Sequence, residues 1–303
     1  MSALARIGLC LLNAGVGLLV SPLFEGLTRK LKAALQSRIG PPVYQPYLDL
    51  LKLLGKEDLR TSRGFFDAAG PALSLGFVLL LALLAPMGGP PPLAFAGDVV
   101  ALLYVATAAA AVLVLTGYAS GSAYAFVGGS REIMLLLTVE PVMAVALVVG
   151  VFKARTLTVS GLLAWQAAQG PTISMAIAAL AFFLALQAQA GRIPFDIAEA
   201  DQELMGGPLV EQSGPRLALF RWAMWARQLV LSFVLVELFL PWPRVGVLSL
   251  DLLLALLKVA VVLALVTVVD VVNPRLRVDQ ALGYYLRVVF GALAGLAFAV
   301  IGM

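Results

Sequence analysis

The chain has 303 residues, 61% of them hydrophobic and 13% charged, with a mean hydropathy of +0.99 and a formal net charge of +4. A soluble core does not need that much apolar surface, and runs of about 18–24 apolar residues suit a bilayer core about 30 Å thick. The composition therefore predicts an all-α, polytopic membrane protein and argues against a transmembrane β-barrel, whose strands alternate apolar and polar.

About eight spans are expected, near 7–24, 71–88, 98–118, 132–150, 171–190, 217–240, 250–271 and 281–301, in a single integral membrane domain covering 1–303. The first run is preceded by one charge, Arg6, and followed by a basic segment, which reads as a retained span instead of a signal peptide. Within that basic segment, Pro42 to Leu54 is too short to span. Its Tyr47, Leu48, Leu51 and Leu54 share a helical face that excludes Asp49, Lys52 and Lys56, so an amphipathic helix in the interface plane is expected. Gly117, Gly121 and Gly128-Gly129 are expected in a short loop between spans, without the context of a nucleotide-binding loop. Trp165, Trp222, Trp242 and Tyr284 fall near span ends, as interfacial anchors do.

Lys and Arg set the orientation. Arg29, Lys30, Lys32, Arg38, Lys52, Lys56, Arg60 and Arg63 follow the first span, and Arg131, Arg192, Arg216, Arg275 and Arg277 lie on the same side. The positive-inside rule makes that side cytoplasmic and both termini external. The positive charge is a topology signal and gives no reason to expect nucleic acid.

With no histidine and one cysteine, Cys10, the chain lacks the usual thiolate and imidazole ligands of iron–sulfur, haem and zinc sites. No bound cofactor or metal is expected, and carboxylates, Lys and Arg must carry any proton traffic. The densest acidic stretch is Gly191 to Leu204, with Asp196, Glu199, Asp201 and Glu203 between two apolar runs. If Pro194 opens a helix, Asp196, Glu199 and Glu203 fall at i, i+3 and i+7 on one face, where mutual repulsion raises proton affinity. A solvated acidic loop has the same composition. Arg131 and Glu132 open the fourth span, and Glu140 follows two turns on beside Pro141. Arg227 and Glu237 lie in the sixth span, and Asp251, Lys258 and Asp270 in the seventh; mid-span Lys258 needs a carboxylate or a wet cavity. Glu25 either neighbours the acidic loop or pairs with Arg29 at i+4.

Four motifs, in order along nearly the whole chain, resemble the respiratory complex I subunit 1 family. They are Arg38-Ile-Gly-Pro-Pro with Tyr47-Leu-Asp-Leu-Leu-Lys-Leu, Gly191-Arg-Ile-Pro-Phe-Asp-Ile-Ala-Glu-Ala, Gly207-Pro-Leu-Val-Glu-Gln-Ser-Gly214, and Asn273-Pro-Arg with Asp279-Gln-Ala-Leu-Gly-Tyr-Tyr285. The wording of the second is closest to the hydrogenase branch, the membrane-anchor subunits of group 4 [NiFe] hydrogenases such as formate hydrogenlyase subunit 4. Gln212 departs from the Tyr that commonly follows the acid in this family.

The resemblance implies an eight-helix subunit coupling a cytoplasmic electron-transfer arm to proton or sodium translocation in the cytoplasmic membrane of a prokaryote. Its implied partners are hydrogenase small and large subunits, iron–sulfur subunits and antiporter-like membrane subunits. Those partners would carry the iron–sulfur clusters and the [NiFe] site. The segments near 25–70, 191–216 and 272–280 would form the docking face, with Arg38, Tyr44 and Tyr47. Residues carried over to the proton route are Arg192, Asp196, Glu199, Glu203 and Glu211, with Arg131 and Glu140. The alternatives are a quinone-site subunit of an NADH:quinone-type dehydrogenase and, in another class, a stand-alone ion-coupled transporter.

Overall fold

The computed structural model describes residues 3–59, 64–199 and 201–302, with the side chains of Asp201 and Gln202 outside the description. Arg60 and Arg63 lie outside it too. The described residues form helices without strands. The first span runs as α1 (Ala3–Gly15), a π-helical stretch (Val16–Val20) and α2 (Ser21–Leu35). At 33 residues it is about 50 Å long, well beyond the thickness of a bilayer core. α3 (Gln45–Leu54) follows, then the spans α4 (Phe65–Leu84), α5 (Asp98–Ala119) and α6 (Ala123–Ala154). α7 (Val159–Gln169) is a short helix between spans where sequence alone suggests a loop. α8 (Ile173–Gln189), a four-residue α9 (Asp201–Leu204), α10 (Gly214–Phe239), α11 (Leu248–Val272) and α12 (Val278–Ile301) complete the chain.

Seven helices are long and apolar enough to cross a membrane, and α8 is a shorter apolar helix, which agrees with the expected count of about eight. The chain is an integral membrane protein.

Helix α10 is the axis of the bundle. Every residue from Ala226 to Phe239 is buried, the polar Arg227, Gln228, Ser232 and Glu237 among them. It packs on α2, α3, α4, α8 and α11, while α6 packs on α5, α8 and α12. The outer helices present Leu253, Leu257, Val261 and Leu265 of α11 and Leu4, Ile7 and Leu11 of α1 to the exterior. An exposed apolar surface of this kind is what lipid or neighbouring membrane helices cover.

α3 behaves as its pattern predicts. Pro46 and Leu50 turn inward, and Leu48, Leu51 and Leu54 stay exposed along one side. Its anchor is a tertiary bond that the pattern does not reveal: the Tyr47 hydroxyl donates to the Leu19 carbonyl. The neighbouring Leu18 carbonyl accepts from Trp222 Nε1 at 2.8 Å. Both carbonyls belong to the π-helical stretch, whose altered register frees acceptors that an α-helix would use internally. Half-buried Trp222 thus ties α10 to the first span.

Gly128 and Gly129 correct a second expectation. They lie inside α6, and only the three residues between Ala119 and Ala123 make the turn. A Cβ on Gly128 would come within 2.6 Å of the Gly207 Cα, and one on Gly207 (φ +55°) would overlap the Ala198 carbonyl. These glycines let the 206–208 turn wedge between α6 and the acidic loop.

Candidate functional site

The acidic stretch does not form the helix that Pro194 suggests. From Arg192 to Glu199 the backbone runs as turns, and helix appears only in α9. The reason is apolar anchoring at alternating depths. Phe195, Ile197 and Ala198 are buried, with Phe195 stacked 4.7 Å from Tyr285 and 5.4 Å from Tyr284. Leu276 N donates to the Pro194 carbonyl at 3.0 Å, tying the loop to the segment before α12.

A loop held this way sends its acids in different directions instead of along one face. Asp196 accepts from Arg275 at 2.7 Å, and Glu203 from Arg131 at 2.7 Å. Glu199 lines a cavity that opens to the surface. The side chain of Asp201 is outside the described residues. Glu211 sits half-buried in the turn before α10 and joins none of the ion pairs among the described residues. The hydrogen bond and charge of Arg131 hold the Glu203 carboxyl below its ordinary range. Such a pair is in place above the ordinary carboxylate pKa and is lost as pH falls through the lowered one. Infrared titration is therefore expected to show Glu203 taking its proton at lower pH than a free glutamate, and the Arg131→Gln variant is expected to abolish the difference.

The cavity has a volume of about 430 Å³. Its polar lining includes Glu25, Arg29, Arg192, Glu199, Gln212 and Gln228, and Met205, Met224 and Trp225 are among the rest of the wall. Glu25, 7% exposed, is the hub. It accepts from Arg29 Nε at 2.9 Å and from Arg192 Nη2, so both alternatives read from the sequence hold at once. Arg29 continues to Asp49 of α3 at 2.9 Å and lies over the Trp225 ring. Arg192 also donates to Gln228 at 3.2 Å. Burial works against the charge of Arg192; Glu25 beside it, with Asp270 and Glu199, outweighs this and keeps its pKa above the ordinary value.

Behind the cavity, Arg227 donates to the Gln189 carbonyl at 2.5 Å, and its buried Nε has no partner among the described residues. Glu132 and Glu199 act on it electrostatically, and Asp196 acts on Glu132. Glu132 faces Ala188 and Gln189 of α8 and does not pair with its neighbour Arg131. Glu140, about 12 Å further along α6, accepts from the Thr107 hydroxyl of α5. It is partly exposed, beside the outward-facing Tyr104 and Leu137, and so stands at the perimeter of the bundle.

Lys258 lies elsewhere. It donates to the Leu240 and Pro241 carbonyls at 3.0 and 3.1 Å, capping the far end of α10, where Arg244 pairs with Glu237 at 2.8 Å. Its requirement for a partner is met by these two backbone carbonyls, with Glu237 acting on it through its field alone. Of the expected docking residues, Arg38 and Tyr44 are exposed, while Tyr47 is engaged with the first span.

Sequence reasoning missed a second charged cluster. Asp67, in the first turn of α4, is 2% exposed and accepts from Arg216 at 2.7 Å and Gln212 at 2.9 Å. Arg216 Nε reaches Asp58 at 2.8 Å, and Ser213 donates to the Leu59 carbonyl at 3.2 Å. The strap after α3 is thereby pinned to the start of α10. No local pattern pairs these residues, since Asp67 and Arg216 lie 149 positions apart. Asp270, near the end of α11, is buried and pairs with Lys32 at 2.8 Å.

The family model described as NADH dehydrogenase matches residues 7–301. The chain belongs to that family. Its relatives include hydrogenase-4 component C of Escherichia coli (strain K12), 34% identical over 86% of this chain and 85% of that protein. Formate hydrogenlyase subunit 4 of the same organism is 34% identical over 89% of this chain and 91% of its own length. The NADH-quinone oxidoreductase subunit 8 of Thermus thermophilus is 32% identical over 89% of this chain and 79% of that protein. Among solved structures, a chain of the membrane-bound sulfane sulfur reductase, an archaeal respiratory membrane complex, superposes with a TM-score of 0.89 at 27% identity. That match covers 97% of this chain and 99% of the other. The family resemblance read from the four motifs is thereby borne out, and members of this family serve both hydrogenase-type and quinone-type complexes.

Proposed function

We propose that this chain is the membrane-anchoring and coupling subunit of a multisubunit, ion-translocating complex of the group 4 [NiFe] hydrogenase type. Full-length similarity to hydrogenase-4 component C and formate hydrogenlyase subunit 4 supports the branch. The partners are a hydrogenase small and large subunit with iron–sulfur subunits on the basic, cytoplasmic side, and antiporter-like subunits within the membrane. Those partners hold the metal centres. Both termini face outward from the cytoplasmic membrane, as the distribution of Lys and Arg supports.

The observation that carries the coupling role is the layered charge array. It begins at the cavity with Glu25, Arg192 and Glu199, continues through Arg227 and Glu132, and ends at Glu140 on the rim. Carboxylates in or near a bilayer are expensive and mark ion routes. An electron arriving in the docked arm changes the field at the cavity mouth. The acids respond if they bind a proton more tightly in one redox state than in the other. Because Glu140 stands at the perimeter, the next carrier belongs to a neighbouring chain.

In the Glu140→Gln complex, hydrogen turnover with a soluble electron carrier is expected to persist while ion pumping in inverted vesicles is lost. Pumping at the unaltered stoichiometry would refute the route. Mass spectrometry of the complex purified through this chain tests the branch: a [NiFe] large subunit supports it, and a quinone-linked dehydrogenase arm overturns it.

A further inference from the structure

We propose that Asp270 is a further residue of the coupling site, a proton-loading carboxylate that feeds Glu25 along the seam between α2 and α11. This rests on the reading of the chain as a coupling subunit. Asp270 is 5% exposed, and Lys32 donates to its Oδ2 at 2.8 Å. Its Oδ1 is buried and receives no hydrogen bond from the described residues. Asp67, the tie at the start of α4, is different: Gln212 donates to its Oδ1 and Arg216 to its Oδ2. A carboxylate kept only to hold two helices together is satisfied on both oxygens in that way. A bare buried oxygen costs free energy unless water or a proton meets it. Asp270 thus keeps an acceptor that a proton can occupy while Lys32 holds the other oxygen.

The seam gives that proton a direction. α2 and α11 pack side by side. On α2, Glu25, Thr28 and Lys32 fall at i, i+3 and i+7, on one helical face. On α11, Leu263, Thr267 and Asp270 fall at i, i+4 and i+7, and all three are buried. Contacts at both ends set the register. Asp270 meets Lys32, while Leu263 lines, with Glu25 and Thr28, a cavity of about 10 Å³, roughly the space one water needs. Glu25 is therefore about 10 Å along α2 from the level of Asp270. Two hydroxyls stand in that interval. Thr267 donates to the Leu263 carbonyl at 2.7 Å, and the Thr28 oxygen lies 3.5 Å from Glu25 Oε2. The outer end is the wetter one, since the Lys32 side chain is 34% exposed and that of Glu25 7%. The charge of Asp270 also acts on Arg192, the guanidinium that Glu25 holds. A proton from water on the basic side binds Oδ1, leaves through hydroxyls and water for Glu25, and restores the Asp270 carboxylate.

The test follows Glu25 in the intact complex after a pulse of reductant, at its protonated-carboxyl infrared band, assigned by its loss in Glu25→Gln. Asp270→Asn keeps the shape and an acceptor for Lys32 but removes the group that carries the proton. It is expected to slow the rise of the band about 100-fold, the low end of what a positioned acid contributes to proton transfer, with the full set of subunits retained. Asp270→Glu is expected to restore the rate, which a purely structural pair would not require. An unaltered rate in Asp270→Asn, or a slowing that Asp270→Glu leaves in place, would overturn the proposal and leave the coupling reading standing. If the parent complex shows no redox-linked band from Glu25, the coupling reading itself falls, and this inference with it.

Discussion

Replacing Arg216 by methionine is expected to cost about 3–5 kcal/mol of stability, the range for removing one member of a buried ion pair. Asp67 is almost fully buried and receives its charge-assisted bonds from Arg216 and Gln212. Without the guanidinium its carboxylate is left in a low-dielectric setting with one amide donor, a penalty that water cannot relieve. The same arginine holds Asp58, so the strap after α3 also loses one of its two ties to the start of α10 and keeps the Ser213 bond to Leu59. Thermal unfolding of the purified complex in mild detergent measures the loss. Adding Asp67→Leu is expected to recover much of it, because a fully apolar replacement of a buried pair is often neutral. An unchanged unfolding midpoint in Arg216→Met alone would show the cluster to be energetically idle.

The second large effect is on coupling. In Arg192→Met, Glu25 loses its cross-loop partner and keeps Arg29 and Thr28 on its own helix. The bridge between the first span and the acidic loop is then broken at the cavity that Glu199 shares. Ions moved per electron pair are expected to fall at least about fivefold, the low end for a free energy of coupling between two sites. Electron transfer to a soluble acceptor is expected to continue. The double variant with Glu25→Gln removes the uncompensated charge, and so is expected to regain stability without regaining pumping. That separation of the two readouts distinguishes a coupling pair from a purely structural one. If pumping recovers along with stability, Arg192 only holds the loop in place.

Much of the fold was legible because lipid imposes a simple rule on sequence. Each span must be long, apolar and internally hydrogen-bonded, so its existence is written locally in 18 or more residues. The exposed face of α3 was legible for the same reason, through its period. The acidic loop was visible in composition, since so many carboxylates beside apolar runs require an explanation. Its conformation was not. Whether 192–203 coils into a helix depends on Phe195 reaching Tyr285 and on the Gly207 turn backing against Ala198, contacts across long stretches of chain.

The residues thus fixed by themselves a multispanning helical protein without imidazoles and with a single thiol, and the segment where its costly charges concentrate. Tertiary structure decided the pairing: Glu25 with Arg192, Asp67 with Arg216, Lys32 with Asp270, and Glu140 out at the rim beside Thr107. The physical reason is range. Hydropathy and helical period act over one or two turns, whereas a buried charge is satisfied by whichever partner packing brings within hydrogen-bond reach, and here those partners lie 149, 167 and 238 residues apart.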